Sequence, residues 1–472
     1  MQAWLERRFR LTEHHTTART ELLAGVTTFA TMAYIVFVNP GILSAAGVPF
    51  EGAVTATALG AALMCVVMGF VANKPLALAS GMGLNAMVAF SVIGFQQKNV
   101  PWQVGMSVIV IEGLLILLLV LVGLREAVMH AIPRDLKRGI GVGIGLFLTM
   151  IGLSQGGLIA PAPITLVALG RFDQPYVWVT LIGLLGIVAL MAFRVQWSIL
   201  GGIALATLAA WMLKLTAPPS GAIVQTPSFD TFFAVFGSNE HGPYLWQALK
   251  PALLPTIFGI MLTDFFDTMG SIVAVGEPAG FVKPDGTVPG LRSILLVDSA
   301  AAAIGGMFGA SSMTTYIESA AGVAQGGRTG LMPITTGLLF VLAAFCVPIV
   351  KMVGGGCPIP NAEHYAAFAI SGFSIPETPP MMLYPITAGA LIAVGFLMMH
   401  SMGEIHWHDW PESLPAFLTI VGIPLTYNIS SGIGFGFVSW TVIKLLNGKA
   451  REVHPLMYVI STAFGCAFVI GR

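Results

Sequence analysis

Fourteen apolar stretches follow one another along the 472 residues, at about 22–38, 52–72, 76–97, 102–123, 136–156, 175–193, 197–217, 251–279, 291–309, 311–327, 330–351, 380–400, 412–427 and 430–446. Several reach the ~20 residues that carry a helix across a bilayer. The 55 glycines and 29 prolines suit closely packed, interrupted helices, whereas the strands of a membrane barrel would alternate in polarity. Soluble domains carry roughly 25% charged residues. Here 56% of residues are hydrophobic, 9% are charged and the mean hydropathy is +0.85. The expected fold is an all-α polytopic membrane protein with about 14 transmembrane segments.

The longest connection in the first two thirds, 218–250, is polar and proline-containing and divides the stretches into seven and seven. An odd number of spans per half inverts the second half relative to the first, giving a 7+7 inverted repeat. The third segment of each half supports this division, because LALASGMGLNAMVAF and GASSMTTYIESAAGV are both small-residue, polar interruptions at matching positions. Ser80, Gly81, Gly83 and Asn85 are then expected to face 311–319 across a pseudo-twofold axis near the bilayer midplane.

Loop charges orient the chain. Arg7, Arg8 and Arg10 precede the first span, with no apolar h-region of a signal peptide, so the N-terminus reads as cytoplasmic. Arg125, Arg134, Lys137, Arg138, Arg194, Lys283 and Arg292 fall on the same side. Lys444, Lys449 and Arg451 join them if 412–427 and 430–446 form a half-depth hairpin. The glycine- and proline-rich 354–379 connection then lies outside, and 454–470 reads as an interfacial helix.

Function is sought where polar groups interrupt apolar sequence, since such residues are costly in a membrane. In MLTDFFDTMGS, Asp264, Asp267, Thr268 and Ser271 stand at i, i+3, i+4 and i+7, one stripe of a helix. The glycine at 270 allows close approach beside Asp267, which favours Asp267 for ligand contact and Asp264 for a supporting or proton-coupling role. The second cluster, Ser311, Ser312, Thr314, Thr315, Glu318 and Ser319, is flanked by glycines and reads as a broken helix lining a site. Glu318 sits near the break, where a half-helix N-terminus supplies free N–H groups, and it is read as binding ligand or a proton. Glu112 is read as a structural interhelical group, Asp298 as a cap or interface group, and Asn39-Pro40 and Asn73-Lys74-Pro75 as helix ends.

Other chemistries lack their residues. No P-loop, HExxH or GxSxG motif occurs, so neither nucleotide-driven transport nor an intramembrane enzyme is indicated. The four cysteines are scattered, the His406-Trp407-His408-Asp409 cluster reads as a solvated loop, and no metal site is expected. The GIGVGIGLF run at 139–147 reads as close helix packing. A formal net charge of zero gives no sign of a nucleic-acid partner. A transporter is the leading class, with a channel as the alternative because polar stripes also line pores.

Five segments, TELLAGVTTFATMAYIVFVNPGILSAAG, ASGMGLNA, TDFFDTMGS, TTYIESAAGVAQGGRTGL and NISSGIGFGF, occur in order from about residue 16 to the end. In them the chain resembles the AzgA-like purine permease branch of the nucleobase–cation symporter-2 superfamily. The resemblance implies core and gate domains and short strands in segments 3 and 10. In this numbering the core is 20–123 and 248–352 and the gate is 124–217 and 380–446. The remainder is a cytoplasmic N-terminus (1–19), an inter-repeat loop (218–247), an external loop (354–379) and a C-terminal segment (447–472). The external loop is longer than the family leads one to expect.

It further implies proton-coupled uptake of hypoxanthine, guanine or adenine across the cytoplasmic membrane, with no cofactor beyond the proton gradient, in a homodimer. Its binding acids map onto Asp267 and Glu318 and its segment-3 asparagine onto Asn85; Thr268, Thr315 and Ser319 lie beside them. Glu318, Asp267 and Asp264 are the proton-coupling candidates. Xanthine or uracil is the alternative cargo. Independently of the family, an ionised carboxylate only accepts hydrogen bonds, which matches the N1–H and N2–H donors of guanine and the N1–H of hypoxanthine. Adenine, with an acceptor at N1, would require a protonated acid.

Overall fold

The computed structural model describes residues 2–94, 100–123, 132–162, 166–217, 223–282, 288–359 and 381–470. In chain order the elements are α1 (Gln2–Phe9), α2 (Ala18–Met32), α3 (Ile35–Ser44), α4 (Phe50–Val71), β1 (Leu78–Ser80), α5 (Met82–Ala86), which runs into a π-helical stretch (Met87–Gly94), and α6 (Trp102–Leu121). Next come α7 (Arg134–Gln155), α8 (Pro175–Ala192), α9 (Ser198–Met212), α10 (Leu254–Ala279), α11 (Leu291–Phe308), β2 (Met313–Thr315), α12 (Ser319–Ala324) and α13 (Leu331–Ala343). The chain closes with α14 (Val347–Gly354), α15 (Pro385–Met398), α16 (Trp410–Leu425), α17 (Ile429–Leu446) and α18 (Pro455–Ile470). Among the described residues nine helical segments are long and apolar enough to cross a membrane.

Two packed groups divide these helices. In one, α2 and α4 pack on α13, and α11 packs on α4 and α6. In the other, α7 packs on α15 and α16, α9 on α8, and α16 on α17. Small residues set the close approaches. A β-carbon on Gly152 of α7 would lie 2.9 Å from the Ala388 carbonyl of α15, and one on Gly139 would lie 3.0 Å from the Ala416 backbone of α16. The glycine-rich run of α7 is therefore a packing surface.

Between the α-helices of the first group run the two short strands, β1 and β2, paired antiparallel with Leu78 opposite Thr315, Ala79 opposite Thr314 and Ser80 opposite Met313. The chain reaches β2 from α11 through Gly309 at φ +88° and Ser311 at φ +68°. Both are left-handed conformations, and the second is unusual for a residue with a side chain. The pairing continues beyond the strands: Gly81 N–H donates to the Ser312 carbonyl at 2.9 Å, and Tyr316 N–H donates to the Ala77 carbonyl at 2.9 Å.

Several expectations need correction. Asn39-Pro40 does not end a helix: Pro40 lies inside α3, and the first span runs from Ala18 to Ser44. The expected span at 330–351 is a pair of helices, α13 and α14, bent by 85°, with Pro348 in the first turn of the second, where a missing N–H costs nothing. The helix at 429–446 has 18 residues, about 27 Å at 1.5 Å per residue, long enough for a full crossing. The C-terminal helix α18 packs against the bundle. It buries Met457, Ile460 and Phe464, with the Phe464 ring 6.1 Å from Phe258 of α10 and 6.2 Å from Phe437 of α17.

The inter-repeat connection folds onto the end of α11, where Thr231 donates to the Phe308 carbonyl at 2.8 Å. At the other long connection Cys357–Ile359 pairs with Met381–Leu383. Most of the 354–379 loop, together with Arg125 and Lys283, lies outside the described residues.

Candidate substrate site at the paired strands

Helix α10 runs 26 residues, and Asp267 is its fourteenth, about 20 Å from its start and near the middle of a bilayer-length element. Asp264, Thr268 and Ser271 on the same stripe are buried, whereas Asp267 is only half-buried. Among the described residues no hydrogen bond engages the Asp267 carboxyl. It lies within electrostatic range of Glu318 and Asp298.

Glu318 occupies the N-cap position of α12 without capping it. Its side chain turns away, and Oε1 accepts a hydrogen bond from the Tyr34 hydroxyl at 2.5 Å. Tyr34 is 1% exposed and falls at the break between α2 and α3. Tyr316 donates to the Ser80 carbonyl at 2.5 Å and is also in electrostatic range of both Glu318 and Asp267. Two partly accessible acids, one on α10 and one just after β2, therefore lie within electrostatic range of each other and of the buried Tyr316.

The remaining predicted residues support the site from behind. The Thr268 hydroxyl donates to Asp298 Oδ2 at 2.6 Å and lies 3.1 Å from the Thr314 hydroxyl. Ser319 Oγ accepts from the Ala77 N–H at 2.9 Å, joining the two halves. Asn85 donates to Asn39 Oδ1 at 2.6 Å, and Asn39 in turn donates to Thr57 at 2.8 Å and to the Ala310 carbonyl at 3.2 Å. Asn85 Oδ1 and the hydroxyl oxygens of Ser80, Ser312 and Thr315 are buried with no protein partner. Orphaned buried acceptors of this kind call for water or ligand. Glu112 is completely buried on α6, the helix that packs against α11.

Asp298 has a larger role than a helix cap. It lies inside α11, fully buried, and accepts from Thr268, from the Thr315 N–H at 3.0 Å and from Thr314 at 3.4 Å. One carboxylate thus fastens β2 to α10. Tyr34 and Tyr316 escaped the sequence reading, and Asn39 was read only as part of a helix end. The available signal was the one used for the other acids, a polar group inside an apolar run whose hydrogen bond must be met.

Broken elements meeting at mid-length inside a polytopic bundle, with acids at the break, define a membrane transport protein. The fold agrees with that of a solved one. The transmembrane domain of a cyanobacterium bicarbonate transporter, BicA, superposes with a TM-score of 0.58 over 88% of this chain and 97% of that chain, at 16% identity. The chain belongs to the permease family, whose profile matches residues 19–409. Over 466 residues it is 38% identical to the guanine/hypoxanthine permease PbuO of Bacillus subtilis (strain 168), covering 97% of this chain and 98% of that protein. It is 40% identical to the adenine permease AdeP of Escherichia coli (strain K12), covering 98% and 95%. The protein is a permease, not an enzyme.

Proposed function

We propose that this permease takes up purine nucleobases, guanine and hypoxanthine ahead of adenine, together with protons, across the cytoplasmic membrane. The observation that carries this reading is the pair of half-buried acids, Asp267 at the middle of α10 and Glu318 at the start of α12. Carboxylates accept the donors of a purine edge. One acid accepts from the base while its coupled neighbour holds the transported proton. Asp267 and Glu318 are the main polar contacts, with Asn85, Thr268, Thr315 and Ser319 shaping the site and Asp264 the further proton-coupling candidate. Relatives named for guanine and hypoxanthine and for adenine support a purine cargo.

In this reading the chain is a 7+7 inverted repeat with a cytoplasmic N-terminus. The group holding the paired strands is the core, and the α7–α9 and α15–α17 group is the gate. Access alternates as core moves against gate, in a homodimer. Competition of labelled hypoxanthine uptake by each base at two pH values tests the reading. Guanine and hypoxanthine should compete best, adenine less, and xanthine and pyrimidines poorly. Uracil or xanthine competing best, or adenine competing equally at both pH values, would overturn it.

A further inference from the structure

We propose that Tyr34 is a specificity-determining residue of the substrate site, acting through Glu318 by holding Oε1 as a hydrogen-bond acceptor. This rests on the reading of Glu318 as a base-binding acid. The Tyr34 hydroxyl points its hydrogen at Oε1 from 2.5 Å, and the ring is buried with 1% exposure, so this donor does not exchange freely with water. A hydrogen bond donated to a carboxylate favours its ionised form, and in a protonated carboxyl it is better received by the carbonyl oxygen than by the one that carries the proton. Tyr34 therefore favours the carboxylate, with Oε1 as an acceptor toward whatever lies in the site, and a proton on Glu318 is better placed on Oε2.

The consequence differs between bases. A guanine edge presents adjacent N1–H and N2–H donors and meets two acceptors in either orientation of the carboxylate. Hypoxanthine needs one acceptor and is served by Oε1. Adenine presents an acceptor at N1 beside a donor at N6, so it needs one carboxyl oxygen to donate. With Tyr34 in place the protonated carboxyl that adenine needs is the disfavoured form. Removing the hydroxyl takes away a donor that favours the carboxylate, which weakens the acceptor pair that guanine and hypoxanthine use and relaxes the bias against adenine. A buried group left with the wrong partner discriminates strongly, so the bias is large enough to read in transport.

Tyr316 supplies the comparison. It is a second buried tyrosine in range of Glu318, but its hydroxyl donates to the Ser80 carbonyl and not to an acid. Tyr316→Phe should therefore weaken all bases alike.

The test is uptake by reconstituted protein carrying Tyr34→Phe, with KM and kcat measured separately for guanine, hypoxanthine and adenine. KM for guanine and hypoxanthine should rise roughly tenfold, the usual scale for one hydrogen bond to a charged group, with kcat little changed. KM for adenine should hold or fall, so the ratio of guanine to adenine preference shrinks about tenfold. Tyr34→His, which restores an N–H donor, should recover part of the preference. It also provides a second route if the phenylalanine variant does not fold. Thermal unfolding of each purified variant certifies its fold. Equal weakening for all three bases, or no change for any, overturns the role of Tyr34. Wild-type affinity for every base in Glu318→Gln would instead overturn the site reading on which it rests.

Discussion

Replacing Asp298 with alanine is the perturbation whose cost the structure sets most directly. The carboxylate is fully buried and receives the Thr268 hydroxyl at 2.6 Å, the Thr315 N–H at 3.0 Å and the Thr314 hydroxyl at 3.4 Å. The two hydroxyls lie 3.1 Å apart and can turn to each other when the acid is gone. The Thr315 N–H cannot turn, and a buried donor left unmade costs about 1–3 kcal/mol. The lost short bond from Thr268 to a charged acceptor adds about 1.5 kcal/mol or more, so Asp298→Ala should cost about 3 kcal/mol. Asp298→Asn keeps an acceptor for the Thr315 N–H and presents its amide to Thr268, which can accept. It should cost about half as much. Denaturant or thermal unfolding in detergent gives the stability, and hypoxanthine binding to the same samples shows whether β2 still presents its side of the site. The alanine variant should lose stability and affinity together, with the asparagine variant between it and the wild type. An alanine variant within about 0.5 kcal/mol of wild type, with unchanged affinity, would refute the fastening role, since that is the ordinary scatter of surface substitutions.

Glu21 is fully buried and accepts from the Arg328 N–H at 2.7 Å and the Thr329 N–H at 3.2 Å, holding the loop behind α12. Glu21→Ala orphans two backbone donors and should lower stability by about 2–4 kcal/mol, read by thermal unfolding; an unaltered midpoint would count against the clamp. Gly330→Ala would drive a β-carbon into the Gly69 backbone between α13 and α4. It should cost about 1–3 kcal/mol by overpacking in the same assay, and no loss would contradict the close approach. Gln325, beyond α12, donates to Gln196, in the α8–α9 connection, at 3.4 Å. Cysteines at both positions joined by a bifunctional thiol reagent should stop turnover while binding from one side persists. Full turnover in crosslinked protein would exclude motion of the two helix groups against each other.

The sequence made the helical bundle legible because hydrophobicity needs no partner to be seen. It also marked the two interruptions at 76–85 and 311–319, where small and polar residues break the apolar pattern. The stripe on α10 could be read from the spacing of Asp264, Asp267, Thr268 and Ser271. The spacing could not say which of the four remains accessible, because that depends on α11 and β2 arriving at the other side. Thus Thr268 was legible as polar and site-facing, while its bond to Asp298 was not. Tyr34 stayed hidden for a related reason. Its partner lies 284 residues away, and a lone tyrosine in MAYIVF looks like apolar filling until Glu318 is placed against it. Pro40 misled because a proline in a membrane helix is tolerated when neighbours satisfy the freed carbonyl, so the rule for soluble helix ends does not carry over. The burial of Phe464 was likewise a property of α10 and α17 and not of its own segment.

The central claim is that Asp267 and Glu318 form the site through which a purine base and protons are carried together. Uptake of labelled hypoxanthine into proteoliposomes under an imposed proton gradient, compared among wild type, Asp267→Ala and Glu318→Ala, tests it most directly. Uptake should be saturable and collapse with the gradient in wild type, and should be lost in both variants, each of which remains folded. Uptake that is unsaturable or indifferent to the gradient, or that persists at the wild-type rate in both variants, would contradict it.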